Sequence, residues 1–228
     1  MSVPALRRRL ATGILLVVVA LLIGLGIWQL ERRTWKLALI AHTERQLKAA
    51  PVPTPGPRDW PTTGADDVYR PVLATGHYRA GSDTFVQAVT ALGGGFWVLT
   101  PFDDDRGFAV LVNRGFVPAE RRGSVAPSPS RQTIRGLLRL SEPEGGFLRS
   151  NDPAGDRWYS RDVAAIASAK RLGRIAPYFV DASGPASDWP RGGLTVVHFR
   201  NSHLVYALTW FGLALLVAVM AWRVRRQR

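Results

Sequence analysis

The chain has 228 residues, no cysteine and a net charge of +13. The missing cysteine excludes disulfide stabilisation, a Cys-x-x-Cys redox site and a thiolate metal site. The charge invites a nucleic-acid reading, but seven arginines and no acid lie in the first ten and last six residues, and no recognisable nucleic-acid module accompanies the remainder.

Taken in chain order, the first element is an uncharged apolar run, Ala11–Leu30. About 20 residues at 1.5 Å rise cross a bilayer core roughly 30 Å thick, so this run predicts a membrane span. A cleaved signal peptide is the alternative. The run is longer than an ordinary h-region, and Gly26-Ile27-Trp28-Gln29-Leu30 offers no small-x-small cleavage site, which favours an uncleaved anchor. Only ten residues precede it, too few for an amphipathic mitochondrial presequence, which favours a bacterial inner membrane. Trp35 to Lys48 reads as a helical continuation. Residues 50–67, with five prolines and two glycines, read as an extended or turn-rich linker.

Short runs rich in β-branched and aromatic residues follow, each bounded by Gly, Pro or Asp. They predict strands at Tyr69–Tyr78, Thr84–Ala88, Phe96–Phe102, Phe108–Val112 with Phe116 and Val117 after it, and Thr133–Leu140. Later strands are predicted at Tyr178–Asp181 and Leu194–Phe199. Asp103–Gly107 reads as a hairpin loop and Gly123–Arg131 as a loop. One helix is predicted at Asp162–Leu172, capped by Asp162 and stopped by Gly173. The last element is a second apolar run, Leu204–Trp222.

The expected fold is therefore an α+β membrane protein: two transmembrane helices, N- and C-terminal, flanking one periplasmic antiparallel β-rich domain with a helix. The expected boundaries are a cytoplasmic tail at 1–10, spans at 11–30 and 204–222, a periplasmic domain at 31–203 and a second cytoplasmic tail at 223–228. Arg7, Arg8 and Arg9 before the first span, and Arg223, Arg225, Arg226 and Arg228 after the second, set both termini in the cytoplasm. Arg32, Arg33 and Lys36 on the exported side weaken that asymmetry. Trp28, Trp35 and Trp222 fit an interfacial aromatic belt.

Catalytic signatures are sparse. No G-x-S-x-G, H-E-x-x-H or Walker A sequence is present. Gly93-Gly94-Gly95 lacks the lysine of a phosphate loop. Asp103-Asp104-Asp105 reads as a solvated turn before a calcium run. Glu142 and Glu144 would share a face on a strand, but Pro143 and Gly145 suggest an exposed loop. The class favoured is non-enzymatic.

Of four histidines, His42 reads as solvated on a charged helix face, His77 as lying on the outer face of a strand, and His198 as part of the last strand. His203 stands at the outer lip of the second span. On a helix His203, Tyr206 and Trp210 fall on one stripe. A neutral imidazole there is an axial ligand candidate for a haem at membrane depth, and equally an interfacial histidine hydrated by headgroups and water.

Several segments together resemble the Surfeit-locus family of cytochrome c oxidase assembly factors, called Shy in yeast. Gly26-Ile27-Trp28-Gln29-Leu30-Glu31-Arg32-Arg33-Thr34-Trp35-Lys36 is similar to that family's G-x-W-Q-x-x-R-x-x-W-K. Tyr69-Arg70-Pro71-Val72 to Gly76-His77-Tyr78 is similar to its first strand. Gly95 to Pro101, then Val110-Leu111-Val112-Asn113-Arg114-Gly115-Phe116-Val117-Pro118, resembles its V-N-R-G-[WF]-V-P core. Asn151, Trp158 and Asp162 follow its next segment, and Pro190 to Gly193, then Asn201-x-His203-Leu204-x-Tyr206-Ala207-x-Thr209-Trp210, its closing signature.

The resemblance implies an accessory factor, not an enzyme, that helps assemble haem–copper cytochrome c oxidase. Its implied partners are the oxidase catalytic subunit, the haem a synthesis machinery and the membrane, with no nucleic acid. It implies haem a as a transiently bound cofactor, with His203 as iron ligand and Tyr206, Trp210, Trp28 and Gln29 in a pocket at the outer ends of the spans; Trp35 is a further candidate. Arg114 is a candidate partner for a haem propionate, or else a structural arginine satisfying loop carbonyls. The alternative is a cofactor-free scaffold that stabilises an oxidase assembly intermediate.

Overall fold

The computed structural model describes residues 3–124, 126–143, 149–184, 188–194 and 201–226, with no side chain described at 3–6, 8 and 9. The predicted strand Leu194–Phe199 beyond Leu194, His198 and Glu144 lie outside the described residues. The chain divides into two units, 1–42 with 197–228, and 43–196.

The first unit holds two helices, each long and apolar enough to cross a membrane. Helix α1 runs Val3–Lys48 without a break, 46 residues or about 70 Å. It thus merges the predicted span with its predicted continuation. The C-terminal helix, Val-rich and Ala-rich, runs His203–Arg226 and ends on Arg223, Arg225 and Arg226. Both helices are mostly exposed, as lipid-facing helices are.

Their covered positions are periodic. On α1 these are Leu15, Val18, Leu22, Gly26, Gln29, Arg33 and Lys36, and on the C-terminal helix His203, Ala207, Trp210, Ala214, Val217, Ala221 and Val224. Spacings are three or four residues throughout, the pattern of a helix seam, and alternate strictly on the C-terminal helix. Ala207, Ala214 and Ala221, seven residues apart, are the buried members; small residues at such positions let helices approach. Gly26 is buried as well. A methyl group there would strike the ring of Phe211.

The second unit is a seven-stranded sheet that closes on itself. Its strands are β1 (Val52–Pro53), β2 (Pro71–Tyr78), β3 (Thr84–Thr90), β4 (Gly93–Asp104), β5 (Phe108–Pro118), β6 (Gln132–Leu140) and β7 (Ile175–Ala182), with helix α2 (Val163–Lys170) between the last two. The order is β1-β2-β6-β7-β5-β4-β3, and β2 also pairs with β4. That added pairing, Gly76↔Asp104 to Tyr78↔Phe102, joins β2, β6, β7, β5 and β4 into a ring. The pairings are antiparallel, as the sequence predicts, except β1–β2 and β5–β7, which are parallel. The central strands β5 and β7, paired in parallel, are covered on two faces along the apolar runs Phe108–Val112 and Ile175–Val180.

Alternation along those strands builds two cores. Val110, Val112, Tyr178 and Val180 point into the ring with Val72, Phe102, Ile134 and Leu138. Leu111 and Phe179 point out, where Leu99, Val86, Trp158, Val163, Ile166 and Leu172 cover them. Asp162 caps α2, its carboxylate accepting from Ala165 N–H at 3.1 Å.

Residues 50–67 do more than connect. They contribute β1 and two short 3₁₀ turns, Trp60–Thr62 and Ala65–Asp67. Trp60 packs edge-on against Phe108 and onto the inner core. A polar clip holds this segment: Arg106 donates to both Asp104 oxygens at 2.8 Å and to the Thr54 carbonyl at 2.9 Å. Burial alone would raise the Asp104 pKa, but hydrogen bonds and charge from Arg106, with Thr54, outweigh it and leave it lowered. A depressed carboxylate stabilises the fold above its unfolded pKa, and that contribution is lost as pH falls through the folded value. Arg106→Ala leaves burial unopposed. The melting temperature of the variant is therefore expected to fall well below wild type near neutrality. The gap should close below about pH 4, as the carboxyl protonates; a gap independent of pH would contradict this account.

Candidate functional site

Among the described residues, the two predicted membrane-end segments are joined by a hydrogen bond between His203 and Gln29. His203 is the first residue of the C-terminal helix, and its Nδ1 lies 2.7 Å from Oε1 of Gln29 on α1. An amide oxygen only accepts, so in the neutral imidazole this contact puts the proton on Nδ1 and the lone pair on Nε2. Both side chains are half-buried. Among the described residues, Nε2 has no hydrogen-bond partner. Two positions earlier, Oδ1 of Asn201 is buried and also lacks one among the described residues.

The other predicted pocket residues are placed less tightly. Trp210 sits half-buried on the seam, two turns into the helix. Tyr206 and Trp28 are 56% and 53% exposed, flanking the seam on its open sides. Trp35 is exposed too, with the Arg32 guanidinium 4.0 Å above its ring. At this end of the helix pair the structure brings together the half-buried imidazole and the Gln29 amide, with Trp28, Trp35 and Tyr206 exposed nearby in sequence and Trp210 two turns further along. His42 differs from its expected solvated state: its Nε2 is buried without a partner among the described residues.

Arg114 belongs to the second unit. Its side chain is 10% exposed and lies 3.7 Å from Asp83. Its guanidinium is 5.6 Å from the Tyr78 ring. Burial lowers its pKa, against the raising influence of Asp83 and Tyr78. Burial pushes the Tyr78 phenol up to about 12 although Arg114 opposes it, so the phenol stays neutral. These groups border a cleft of about 370 Å³ that Arg135, Trp189 and Pro190 also line.

The remaining motif residues of this unit build the fold. Asn113 donates to Asp181 at 2.8 Å and accepts from Gly115 N–H at 3.1 Å. Gly115 has φ of 132° within β5, beside the register irregularity with β4, and a side chain there would strike the Arg191 carbonyl, so only glycine fits. Asn151 takes the Tyr159 and Ser160 amides. The three consecutive aspartates are all engaged: Asp103 with Arg79, Asp104 with Arg106 and Asp105 with Arg131. Glu142 forms a two-pronged ion pair with Arg161. Among the described residues, no group of three or more His, Asp or Glu side chains is arranged to hold a metal. His77, 3.8 Å from Asp103, is on an exposed position of β2.

Sequence reasoning missed two features here. One is the orphaned Asn201 oxygen, whose only signal was its place in the Asn201-x-His203 pattern. The other is Asp83 as the partner of Arg114, thirty-one residues away on a different strand connection.

Comparison with known proteins bears on both units. The model of the SURF1 family matches residues 16–215. Surfeit locus protein 1 of Rattus norvegicus is 36% identical across 93% of this chain and 75% of its own length. Surfeit locus protein 1 of Homo sapiens is 35% identical, covering 88% of this chain and 73% of that protein. A SURF1-like protein of Monosiga brevicollis is 32% identical over 90% of this chain and 83% of its own length. The match runs from inside α1 through the closed sheet to the C-terminal helix, and on that basis the chain belongs to the SURF1 family.

Proposed function

We propose that this protein is an accessory factor in the biogenesis of haem–copper cytochrome c oxidase, holding haem a transiently through His203 and passing it to the catalytic subunit. The observation that carries the reading is the His203 imidazole, with Nδ1 engaged by Gln29 and Nε2 unpartnered among the described residues. A metal-bound histidine characteristically donates its other N–H to a neighbour, which is the arrangement found. The orphaned Asn201 oxygen fits a ligand bearing a hydrogen-bond donor. Tyr206, Trp210 and Trp28 offer apolar faces for a macrocycle.

Haem a, when held there, supplies the redox-active iron of the oxidase; the protein itself turns nothing over. His203 would bind, Gln29 would orient it, and Tyr206, Trp210 and Trp28 would offer apolar surface to the macrocycle. Arg114, engaged with Asp83, acts within the second unit in this reading, and a propionate partner would have to displace that aspartate. The arginine-rich ends of both helices favour cytoplasmic termini, with the closed sheet on the periplasmic side of a bacterial inner membrane.

The test is the visible spectrum of protein purified from cells that make haem a. Wild type is expected to carry a chromophore with histidine-type axial ligation, and His203→Ala to lose most of it. The same haem with the same axial spectrum in both proteins would sink the reading.

A second reading, a cofactor-free scaffold for an oxidase assembly intermediate, is favoured by one surface. Arg122 lies over Phe85 and Phe96 at 5.4 and 5.0 Å, and Arg149 over Tyr159 at 5.4 Å, around a hollow of about 160 Å³. Arginine with aromatics is the composition of binding hot spots. This reading expects co-migration with oxidase intermediates on native gels and no chromophore in any preparation.

A further inference from the structure

We infer that Gln29 is the positioning residue of the His203 site: its amide oxygen selects the Nδ1–H tautomer and so presents the Nε2 lone pair outward. The inference rests on the proposed ligation by His203 and adds what makes that ligation competent.

Two neutral tautomers of histidine exist, and in water the Nε2–H form predominates. That form blocks the nitrogen that must bind iron. An acceptor fixed at Nδ1 lowers the cost of inverting that preference. Gln29 Oε1, 2.7 Å from Nδ1, is placed to do so. Among the described residues no other group is bonded to either ring nitrogen.

The chemistry of the partner matters. A carboxylate would hold the same tautomer but would place a charge between two membrane-crossing helices and pull the imidazole toward imidazolate. An amide accepts at every pH, carries no charge and leaves the imidazole a neutral donor to iron. It also keeps the iron easier to reduce than a carboxylate partner would, since ligand basicity follows the strength of the acceptor behind it.

Location supports the assignment. Gln29 is a polar seam residue at the outer end of an otherwise apolar run, Leu15, Val18, Leu22 and Gly26 preceding it on the same stripe. A leucine would fill that seam position equally well, so packing alone does not require an amide. The bond also joins residues 174 positions apart, so the site exists only when both helices are paired.

The experiment uses the full chain in detergent, with ¹⁵N-labelled histidine and without haem. His203→Ala identifies the His203 ring signals. Wild type is expected to show a protonated Nδ1 and an unprotonated Nε2. Gln29→Leu should shift the balance to the Nε2–H form, and Gln29→Glu should restore Nδ1–H. In haem-loaded protein, Gln29→Leu should speed haem dissociation by about 10- to 100-fold, and Gln29→Glu should retain haem at a lower midpoint potential.

A Gln29→Leu protein that keeps the Nδ1–H tautomer overturns the inference. So does unchanged haem dissociation and potential in both Gln29 variants while His203→Ala loses haem; that result leaves the ligand reading standing. If His203→Ala keeps its haem with an unchanged spectrum, the ligand reading fails and the inference falls with it.

Discussion

Replacing Asp181 by alanine is expected to cost the closed sheet about 3–5 kcal/mol, a large share of the stability of an ordinary domain. Asp181 is 6% exposed and pairs in register with Asn113 on one side and Leu137 on the other. Its oxygens accept from Asn113 Nδ2 at 2.8 Å, Arg139 Nη1 at 3.1 Å and Arg161 Nη1 at 3.4 Å. Removing the carboxylate leaves two guanidinium groups, 18% and 15% exposed, with the more exposed Glu142 as the counter-charge they still share. It also frees the Asn113 amide that accepts from the Gly115 N–H. Asp181→Asn keeps an acceptor but no charge and should fall between the two. Denaturant unfolding of the full chain, followed by tryptophan fluorescence, measures both. A loss below about 1 kcal/mol for the alanine variant would mean that water and Glu142 satisfy the arginines unaided.

Trp158→Ala is the second large effect, also expected at about 3–5 kcal/mol. The indole is 2% exposed and fills the outer core between α2 and the strands, against Val86, Leu111, Ile166 and Phe179. Its Nε1–H donates to Asp156 at 3.1 Å, and its carbonyl accepts from Gln87 N–H at 2.8 Å. The backbone bond survives the substitution; the packing does not. With the ring gone, the core that α2 shares loses its largest fully buried side chain among the described residues, so cleavage by trypsin at Lys170 or Arg171 should accelerate along with a fall in melting temperature of about 10 °C. Trp158→Phe keeps an aromatic ring in the core and loses the N–H bond with part of the volume, so it should melt closer to wild type than the alanine variant. Equal losses in the two variants would show that the hydrogen bond, not the volume, matters.

The spans, α2 and six of the strands were legible because each carries its signal locally: an uncharged run, an Asp162 cap, or a β-branched stretch between turn residues. Strand ends were not, since β4 and β5 extend through Gly93–Gly95 and Asn113–Gly115, residues whose own preferences oppose strands. β1 escaped notice because two residues, one of them proline, carry no period. Closure was invisible for a different reason. Pairing of β2 with β4 depends on register across the whole ring, and no short window contains it. At the helix ends, the resemblance located Gln29 and His203 but only the fold could bond them. Asp181 read as an unremarkable strand terminus because Asn113, Arg139 and Arg161, which bond it, come from three other segments of chain.

Closure also governs how the protein can change length. In an open sheet, a residue added to an edge strand shifts one neighbour. In a ring, a residue added to β5 would displace its pairing with β4 and β7 together, and the mismatch would travel through β6 and β2 back to β4. The five ring strands are therefore constrained to a common length relationship, while the connections are not. Insertions and deletions among relatives should gather in the β5–β6 and β6–α2 connections and around residues 50–67, and be absent from the ring.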